Sequence, residues 1–132
     1  MDVEKIISDI IQAAYDVRSL LMPGFLEKVY ENAMLIELRD KGYRVKQQVP
    51  IDVRYKGYQV GEYIADLIVE DSVIIEIKAA KNIDVSHEIQ TVCYLTATGI
   101  DNGIVVNFGN PQGIQIRRKY RTYDSTKSTN KI

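Results

Sequence analysis

Three charged residues have apolar neighbours in two largely apolar segments of the chain. Asp66 lies within residues 61–69, whereas Glu76 and Lys78 lie within residues 73–80. Carboxylates in apolar surroundings are unfavourable unless a cation neutralises them. Lys78 supplies one positive charge, and a divalent ion would supply the rest, with Mg²⁺ or Mn²⁺ suited to hard oxygen ligands. These residue types therefore indicate a divalent-metal site built on carboxylates, and an ion bound there would lower the pKa of a water molecule.

The two acids converge only if their segments pair as a hairpin. A short polar break, Glu-Asp-Ser, occupies residues 70–72, and a turn centred on Asp71 places Asp66 directly opposite Glu76. Opposed side chains have Cβ atoms about 4.5–5.5 Å apart, so like charges at these positions repel each other. Lys78, two residues beyond Glu76, projects from the same face of the strand. An amphipathic hairpin whose polar face meets water is the alternative interpretation.

Two predicted helices carry further candidate residues. Glu27 lies one helical turn before Tyr30, although an acid at a helix N-terminus is also favourable by itself. Gln90 and Tyr94 are four residues apart and share a helix face. Gln90 is suited to bind a phosphate, a metal-bound water or an acid, and Tyr94 either contacts substrate or packs in the core. Ordinary helix packing is the alternative for both, and Cys93 is predicted to be a small buried apolar residue.

The apolar pattern predicts three helices and five strands. Helical spacing of apolar residues predicts helices over residues 2–21 and 25–41, and a third helix that is capped by Asp84 or Ser86 and runs to about residue 98. Alternating or continuous apolar residues predict strands over residues 45–55, 58–69, 73–80, 103–108 and 113–120. A helix between the third and fourth strands permits a right-handed parallel crossover. We therefore expect an α/β (α+β) fold, with helices flanking a mixed central sheet that contains a three-stranded antiparallel meander.

The composition fits one soluble globular domain. The chain has 132 residues, of which 45% are hydrophobic and 27% charged, and this size allows a hydrophobic core. We expect a single domain over residues 1–122 and a flexible basic tail over residues 123–132. No apolar run approaches the roughly 20 residues of a membrane span. A single cysteine excludes a disulfide framework and a Cys/His zinc cluster, and it favours a reducing compartment such as the cytoplasm.

Charge is unevenly distributed along the chain. The whole sequence carries a net charge of −1, but bases exceed acids by five from residue 113 onward, so the remainder carries −6. A basic end on an acidic body can contact phosphates locally. Arg117, Arg118 and Lys119 are the residues from which we expect such contacts. A solvated chain end without a binding role is the alternative.

In order along the chain, these motifs resemble those of a nuclease superfamily. Asp66 followed by Glu76-x-Lys78 is similar to the signature of the PD-(D/E)xK nucleases. Residues 24–30, Gly-Phe-Leu-Glu-Lys-Val-Tyr, resemble the motif of the small bacterial and archaeal GxxExxY proteins, which are assigned to that superfamily. Residues 90–94 resemble the Gln-xxx-Tyr motif of one nuclease branch, and Val-Val-Asn-Phe-Gly at 105–109 is similar to the small family. Ala65 stands where the name-giving proline would be, a departure that is common in the superfamily.

The resemblance implies a restriction-endonuclease-like core and a metal-dependent nuclease. Asp66, Glu76 and the backbone carbonyl of Ile77 would bind Mg²⁺ or Mn²⁺. Lys78 would orient the attacking water or stabilise the developing charge. The resemblance favours DNA as the substrate over RNA.

The remaining roles that the resemblance implies are accessory. Glu27 would reach the metal directly or through water, and Gln90 would tune the site. Dimers in which two sites face two strands are common among such small enzymes, so a homodimer is an expectation from the family.

Two other function classes are compatible with the sequence. One is a binding or assembly module that keeps the nuclease fold without catalysis and works with a protein or nucleic-acid partner. The acidic body of the chain favours this alternative, because it opposes tight DNA binding unless metal and basic residues compensate. The other is a metal-dependent hydrolase that acts on RNA or a small phosphate ester.

Overall fold

The computed structural model describes residues 2–121 of the chain, which form three helices and five strands. The helices are α1 (Val3–Leu20), α2 (Glu27–Asp40) and α3 (Val85–Thr98). The strands are β1 (Val45–Tyr55), β2 (Tyr58–Val69), β3 (Val73–Lys78), β4 (Asn102–Asn107) and β5 (Gln115–Tyr120). The predicted element order is confirmed, and the bounds of β1 and β2 agree with the prediction. The predicted tail, residues 123–132, lies outside the described residues.

Side-chain caps fix where two helices begin. The Asp2 side chain accepts a hydrogen bond from the Glu4 N–H at 2.9 Å, at the start of α1. At α3 the side chain of Asp84 accepts from the Ser86 N–H, and the His87 ring nitrogen Nδ1 accepts from the Asp84 N–H at 3.1 Å. This reciprocal capping box identifies Asp84, rather than Ser86, as the cap.

The five strands form one mixed sheet in the order β1-β2-β3-β4-β5. The pairs β1–β2, β2–β3 and β4–β5 are antiparallel, and β3–β4 is parallel. Helix α3 is the crossover between β3 and β4, as the sequence predicts. Strand β1 is at the edge of the sheet, where Pro50 removes no hydrogen bond from a central ladder.

Helices cover both faces of the sheet. On one face α1 and α2 pack against odd-numbered residues of β3, and Tyr30, Leu67, Ile75 and Phe108 are among the fully buried side chains there. On the other face α3 packs over a smaller cluster of Ile51, Ala65, Ile68, Ile74, Tyr94 and Leu95. The even-numbered residues of β3, which include Glu76 and Lys78, belong to the α3 face because side chains alternate along a strand. None of the helices within residues 2–121 is both long enough and apolar enough to cross a bilayer.

Candidate functional site

The β2–β3 hairpin has the predicted register but opens at Asp66 and Glu76, which we call the acidic pair. Leu67 pairs with Ile75, and the ladder continues from there to the turn. The turn residues Glu70 and Asp71 have φ values of 53° and 51°, a left-handed conformation that Asp adopts more readily than most residues other than glycine. The next position in the same register places Asp66 opposite Glu76, beyond the last paired residues.

At this position side chains replace the backbone pairing. The Asp66 N–H donates to Oε2 of Glu76 at 2.9 Å, and the Ile77 N–H donates to Oδ2 of Asp66 at 2.8 Å. Each carboxylate therefore lies between the two strands and contacts the backbone of the opposite one. These two bonds hold both acids at the same end of the hairpin, where β2 and β3 separate.

Burial and mutual repulsion make both acids difficult to ionise. Glu76 is only 3% exposed, and burial, followed by the charge of Asp66, raises its pKa to about 8. Burial also raises the pKa of Asp66, although the N–H of Ile77 and the charge of Lys78 act in the opposite direction. Lys78 forms none of the ion pairs found among residues 2–121. The pair is therefore short of positive charge.

The carbonyl of Ile77 faces the same gap between the strands. The carbonyl oxygen of Lys78 accepts from the Phe108 N–H at 2.9 Å, so it points towards β4. Successive carbonyls of a strand point to opposite edges, so the carbonyl of Ile77 points towards β2 and Asp66. Two carboxylates and one carbonyl thus border one space.

A third acid, Glu31 of α2, is linked to the pair and was not predicted from the sequence. It is 3% exposed and accepts hydrogen bonds from Lys28 at 2.9 Å, Gln47 at 2.6 Å and Gln48 at 3.0 Å. The Gln48 amide also lies 3.4 Å from Oδ1 of Asp66. Gln48 therefore connects the buried carboxylate of Glu31 with the acidic pair.

One sequence signal points to Glu31, and none points to the backbone of Gln48. Glu31 follows Glu27 by four residues, so the two acids share one side of a helix, and Glu31 is next to the buried Tyr30. Gln48 has a φ of 54°, a left-handed conformation that is uncommon for residues other than glycine. This conformation interrupts the β1–β2 pairing between Gln47 and Val49, and no pattern in the sequence indicates it.

Glu27, the first residue of α2, is exposed, and its side chain forms no hydrogen bond within the described residues. Its charge contributes to the raised pKa of Asp66. The turn before α2 is held by Tyr30, whose hydroxyl donates to the Met22 carbonyl at 2.6 Å and accepts from the Phe25 N–H at 3.1 Å. Tyr30 therefore fixes where α2 begins and where Glu27 lies.

Residues 107–109 anchor the chain immediately after Lys78. The buried amide of Asn107 accepts from the N–H of Ala80 at 2.9 Å and donates to the carbonyl of Ala80 at 2.8 Å. Phe108 stacks on Tyr30 with ring centroids 4.8 Å apart. At Gly109 a Cβ atom would come within 2.4 Å of the Ala80 carbonyl oxygen. This segment links the end of β3 to the start of α2, so it positions two parts of the candidate site.

Helix α3 places Tyr94 near Asp66 and Glu76, on the face of the sheet that α3 covers. Tyr94 is 5% exposed, and its ring lies 5.6 Å from that of Tyr63. Burial, together with the charges of Glu76 and Asp66, raises the pKa of Tyr94 to about 12. Gln90, one turn earlier, is half-buried, and its side-chain amide has no hydrogen-bond partner within residues 2–121.

Cys93 is exposed, and the prediction that it is buried is wrong. The helix approaches the sheet through Thr91 and Leu95, which are fully buried and lie closest to Gly103 of β4. Cys93 lies midway between these two residues, so it points away from the sheet.

The structure separates the three basic residues of β5. Arg117 is exposed and faces the same side as Glu76, because both residues pair with Val105 of β4. Arg118 faces α1, where its guanidinium lies 2.7 Å from Glu4, so the structure does not bring it to the acidic pair. Lys119 forms an ion pair with Glu88 of α3 at 3.1 Å.

These donors fit a small divalent cation that keeps much of its hydration. Within residues 2–121 no three side chains of Asp, Glu, His or Cys are close enough together to bind a metal ion. Mg²⁺ takes few protein ligands and retains several waters, so Asp66, Glu76 and the Ile77 carbonyl are a sufficient set. Burial and the charge of Asp66 raise the pKa of Glu76, and a bound cation would offset both effects.

Comparison with known proteins identifies one matching family and several solved structures with a similar fold. The family model of the PD-(D/E)XK nuclease superfamily matches residues 4–119. The structure resembles the crystal structure of SSO0001, with a TM-score of 0.60, 18% identity and coverage of 79% of this chain and 55% of that one. It also resembles an alkaline exonuclease (LHK-Exo) from Laribacter hongkongensis, with a TM-score of 0.54, 16% identity and coverage of 79% and 60%.

The chain thus spans about 55–60% of the length of these solved chains. At such low identity the likeness shows the fold. No curated protein matches the sequence significantly.

Proposed function

Because the chain belongs to the PD-(D/E)XK nuclease superfamily, we propose that it is a metal-dependent nuclease that hydrolyses phosphodiester bonds, with DNA as the favoured substrate. One observation carries this proposal. Asp66 and Glu76 are held side by side at the open end of a hairpin, Glu76 buried and Asp66 half-buried, without sufficient neutralising charge. A structural role alone does not account for this pair, because ionising both acids next to each other without a cation costs stability.

Each proposed role follows from the position of the side chain. Asp66, Glu76 and the Ile77 carbonyl hold Mg²⁺ or Mn²⁺. The bound ion lowers the pKa of a water molecule and offsets phosphate charge. Lys78, on the same strand face as Glu76, orients the attacking water and stabilises negative charge on the phosphate. Glu27 orders solvent beside Asp66.

The substrate contacts are assigned by the same reasoning. Gln90 has a free amide for a phosphate oxygen, and Tyr94 borders the space where the substrate would lie. Arg117 offers a cation on the face of the acidic pair. Arg118 and Lys119 are paired within the chain, so we assign them no more than a supporting electrostatic role.

The test combines metal binding with cleavage. Calorimetric titration with Mn²⁺ should show a site in the parent that Asp66→Ala and Glu76→Ala abolish. Labelled single-stranded, duplex and branched DNA are each offered with Mg²⁺ or Mn²⁺, and the parent should cleave at least one of them, whereas neither variant should cleave any. Glu62→Ala, which removes an exposed acid from the same strand, is the matched control and should behave like the parent. Unchanged Mn²⁺ binding in both site variants would contradict the assignment.

A second candidate is a non-catalytic binding module with a nuclease fold. The absence of three grouped Asp, Glu, His or Cys side chains within residues 2–121 favours it. The two candidates differ in turnover. A protein that binds Mn²⁺ but cleaves neither DNA nor RNA would be the module.

Three further properties belong to the proposal. We propose a homodimer in which two sites face two strands, to be tested by sedimentation.

We also propose a cytoplasmic location, where a reducing environment keeps the exposed thiol of Cys93 unpaired. RNA remains the second substrate, and its cleavage is measured in the same assay.

A further inference from the structure

A groove lies between the β1–β2 hairpin and α3, beside the acidic pair. Its volume of about 840 Å³ is within the range of sites for small organic groups. We call it the tyrosine groove. Its principal lining residues are Arg54, Tyr63, Ile89, Gln90, Cys93 and Tyr94.

The tyrosine groove lies close to the candidate active site. Tyr94, in its wall, packs in one cluster with Ala65 and Ile74, which are the close neighbours of Asp66 and Glu76 along β2 and β3. Tyr63 precedes Asp66 by three residues on β2, a distance of about 10 Å along the strand. A chain held with one phosphate at the acids would therefore place a neighbouring unit in the groove.

The lining combines one exposed aromatic ring with polar side chains. Tyr63 is 48% exposed and Ile89 is 59% exposed, so both offer apolar surface to a ligand. The Arg54 guanidinium donates a hydrogen bond to the carboxylate of Asp52 at 2.9 Å. The side-chain amide of Gln90 has no hydrogen-bond partner within residues 2–121. An aromatic face with hydrogen-bonding groups around it is the environment in which proteins bind unpaired nucleobases.

We propose that the tyrosine groove binds an unpaired base of the substrate strand, stacked on Tyr63, next to the phosphodiester held at Asp66 and Glu76. This inference rests on the proposed function and makes its substrate specific: a single-stranded or locally unpaired nucleic acid. A duplex does not fit this role, because its bases are paired and stacked on one another and offer no free face. A second copy of this chain is disfavoured, because seating it in the groove would close access to the acids.

Cys93 provides a direct probe, because it lines the groove and is the chain's one cysteine. The experiment uses Lys78→Ala with Mg²⁺, a variant expected to keep the metal ligands and lose turnover, so that oligonucleotides stay intact. The rate of Cys93 alkylation is measured with a short thymidine oligonucleotide, an abasic oligonucleotide of the same length and a duplex. We expect the thymidine strand to slow alkylation several-fold, and the abasic strand and the duplex to leave the rate unchanged.

Substitutions at Tyr63 test the stacking itself. Tyr63→Ala should weaken binding of the thymidine strand by about tenfold, which corresponds to the loss of one stacked base. Tyr63→Phe keeps the ring and should bind like the parent. Tyr15→Ala, which removes an exposed ring from α1 on the other side of the sheet, is the matched control.

The outcomes separate this inference from the proposed function. Equal protection of Cys93 by thymidine and abasic strands, or protection by the duplex, would overturn the inference even if the parent cleaves DNA with Mg²⁺. Protection that grows with protein concentration in the absence of nucleic acid would also overturn it, since it would assign the groove to a second copy. Loss of cleavage and of Mn²⁺ binding concerns the proposed function alone.

Discussion

Asp66 and Glu76 each give one carboxylate oxygen to a backbone N–H across the hairpin. Such bonds fix the orientation of a carboxylate, and preorganised ligands lose less entropy when a cation binds. They do not neutralise the pair, and Lys78 makes no close ion pair with either acid within the described residues. Glu76 therefore retains a proton near neutral pH, because burial and the charge of Asp66 raise its pKa to about 8.

This raised pKa predicts an unusual pH dependence of stability. The unfolded state loses the proton of Glu76 near pH 4.5, whereas the folded state keeps it up to about pH 8. The free energy of unfolding of the parent should therefore fall between these values, by at most about 1.4 kcal/mol per pH unit. Glu76→Gln removes the titration, so it should match the parent near pH 4 and exceed its stability near pH 9. Urea denaturation in EDTA across this range measures the difference.

Glu70 provides a control of the opposite sign. Its pKa is lowered, first by hydrogen bonds from Arg44, so its charged form stabilises the fold at neutral pH. Glu70→Gln should therefore lose stability near neutral pH, and the difference should fade in acid.

A Glu76→Gln protein that is less stable than the parent at every pH would show that Glu76 is not held protonated.

At the scale of elements, two sequence motifs meet in one packing unit. Tyr30 of the Gly-xx-Glu-xx-Tyr segment stacks on Phe108 of the Asn-Phe-Gly segment. Asn107 holds Ala80 at the end of β3. The motif residues other than Glu27 thus act on the positions of α2 and β3, and they set the distance between Glu27 and Lys78. These residues therefore have a structural role, and the close approach of Gly109 to the backbone of Ala80 is part of it.

Gly109 predicts a large effect from a small substitution. A Cβ atom there would lie 2.4 Å from the Ala80 carbonyl oxygen, and backbone atoms cannot move aside as a flexible side chain does. Gly109→Ala should lower the free energy of unfolding by about 1–3 kcal/mol and displace the end of β3. Gly61→Ala is the control, because its Cβ would meet ordinary contacts at 3.7 Å. Chemical denaturation of both variants should show the loss only at position 109, and an unaffected Gly109→Ala would refute the packing argument.

Sequence patterns determined most of the elements because apolar periodicity reports directly on burial. The alternation in residues 45–69 gave the bounds of β1 and β2, and the polar break at 70–72 gave the hairpin register that places Asp66 opposite Glu76. Periodicity describes the faces of one element, but it does not identify which element covers a face. For that reason the link from Glu31 through Gln48 to Asp66 was missed, and Cys93 was wrongly predicted to be buried.

For the whole molecule, the arrangement of charge matters more than its sum. The net charge is −1, and the candidate site adds buried acids to an acidic body, so phosphates are attracted only where cations remain available. Most cations of the described part have partners within the chain, as Arg118 and Lys119 do. Arg117 is exposed, and its guanidinium bonds only to the carbonyl of Ile116 within residues 2–121. It also lies on the face of the acidic pair.

Arg117 and Arg118 therefore form a matched pair for testing where nucleic acid lies. The affinity for single-stranded DNA should depend on salt, with log K falling by about 0.7 per phosphate contact for each tenfold rise in salt. Arg117→Ala should make this slope shallower by about that amount, because it removes a cation on the substrate face. Arg118→Ala should leave the slope unchanged, because that residue pairs with Glu4 beside α1. Anisotropy titrations at several salt concentrations measure both slopes, and the reverse order would place the substrate on the α1 face, away from Asp66 and Glu76.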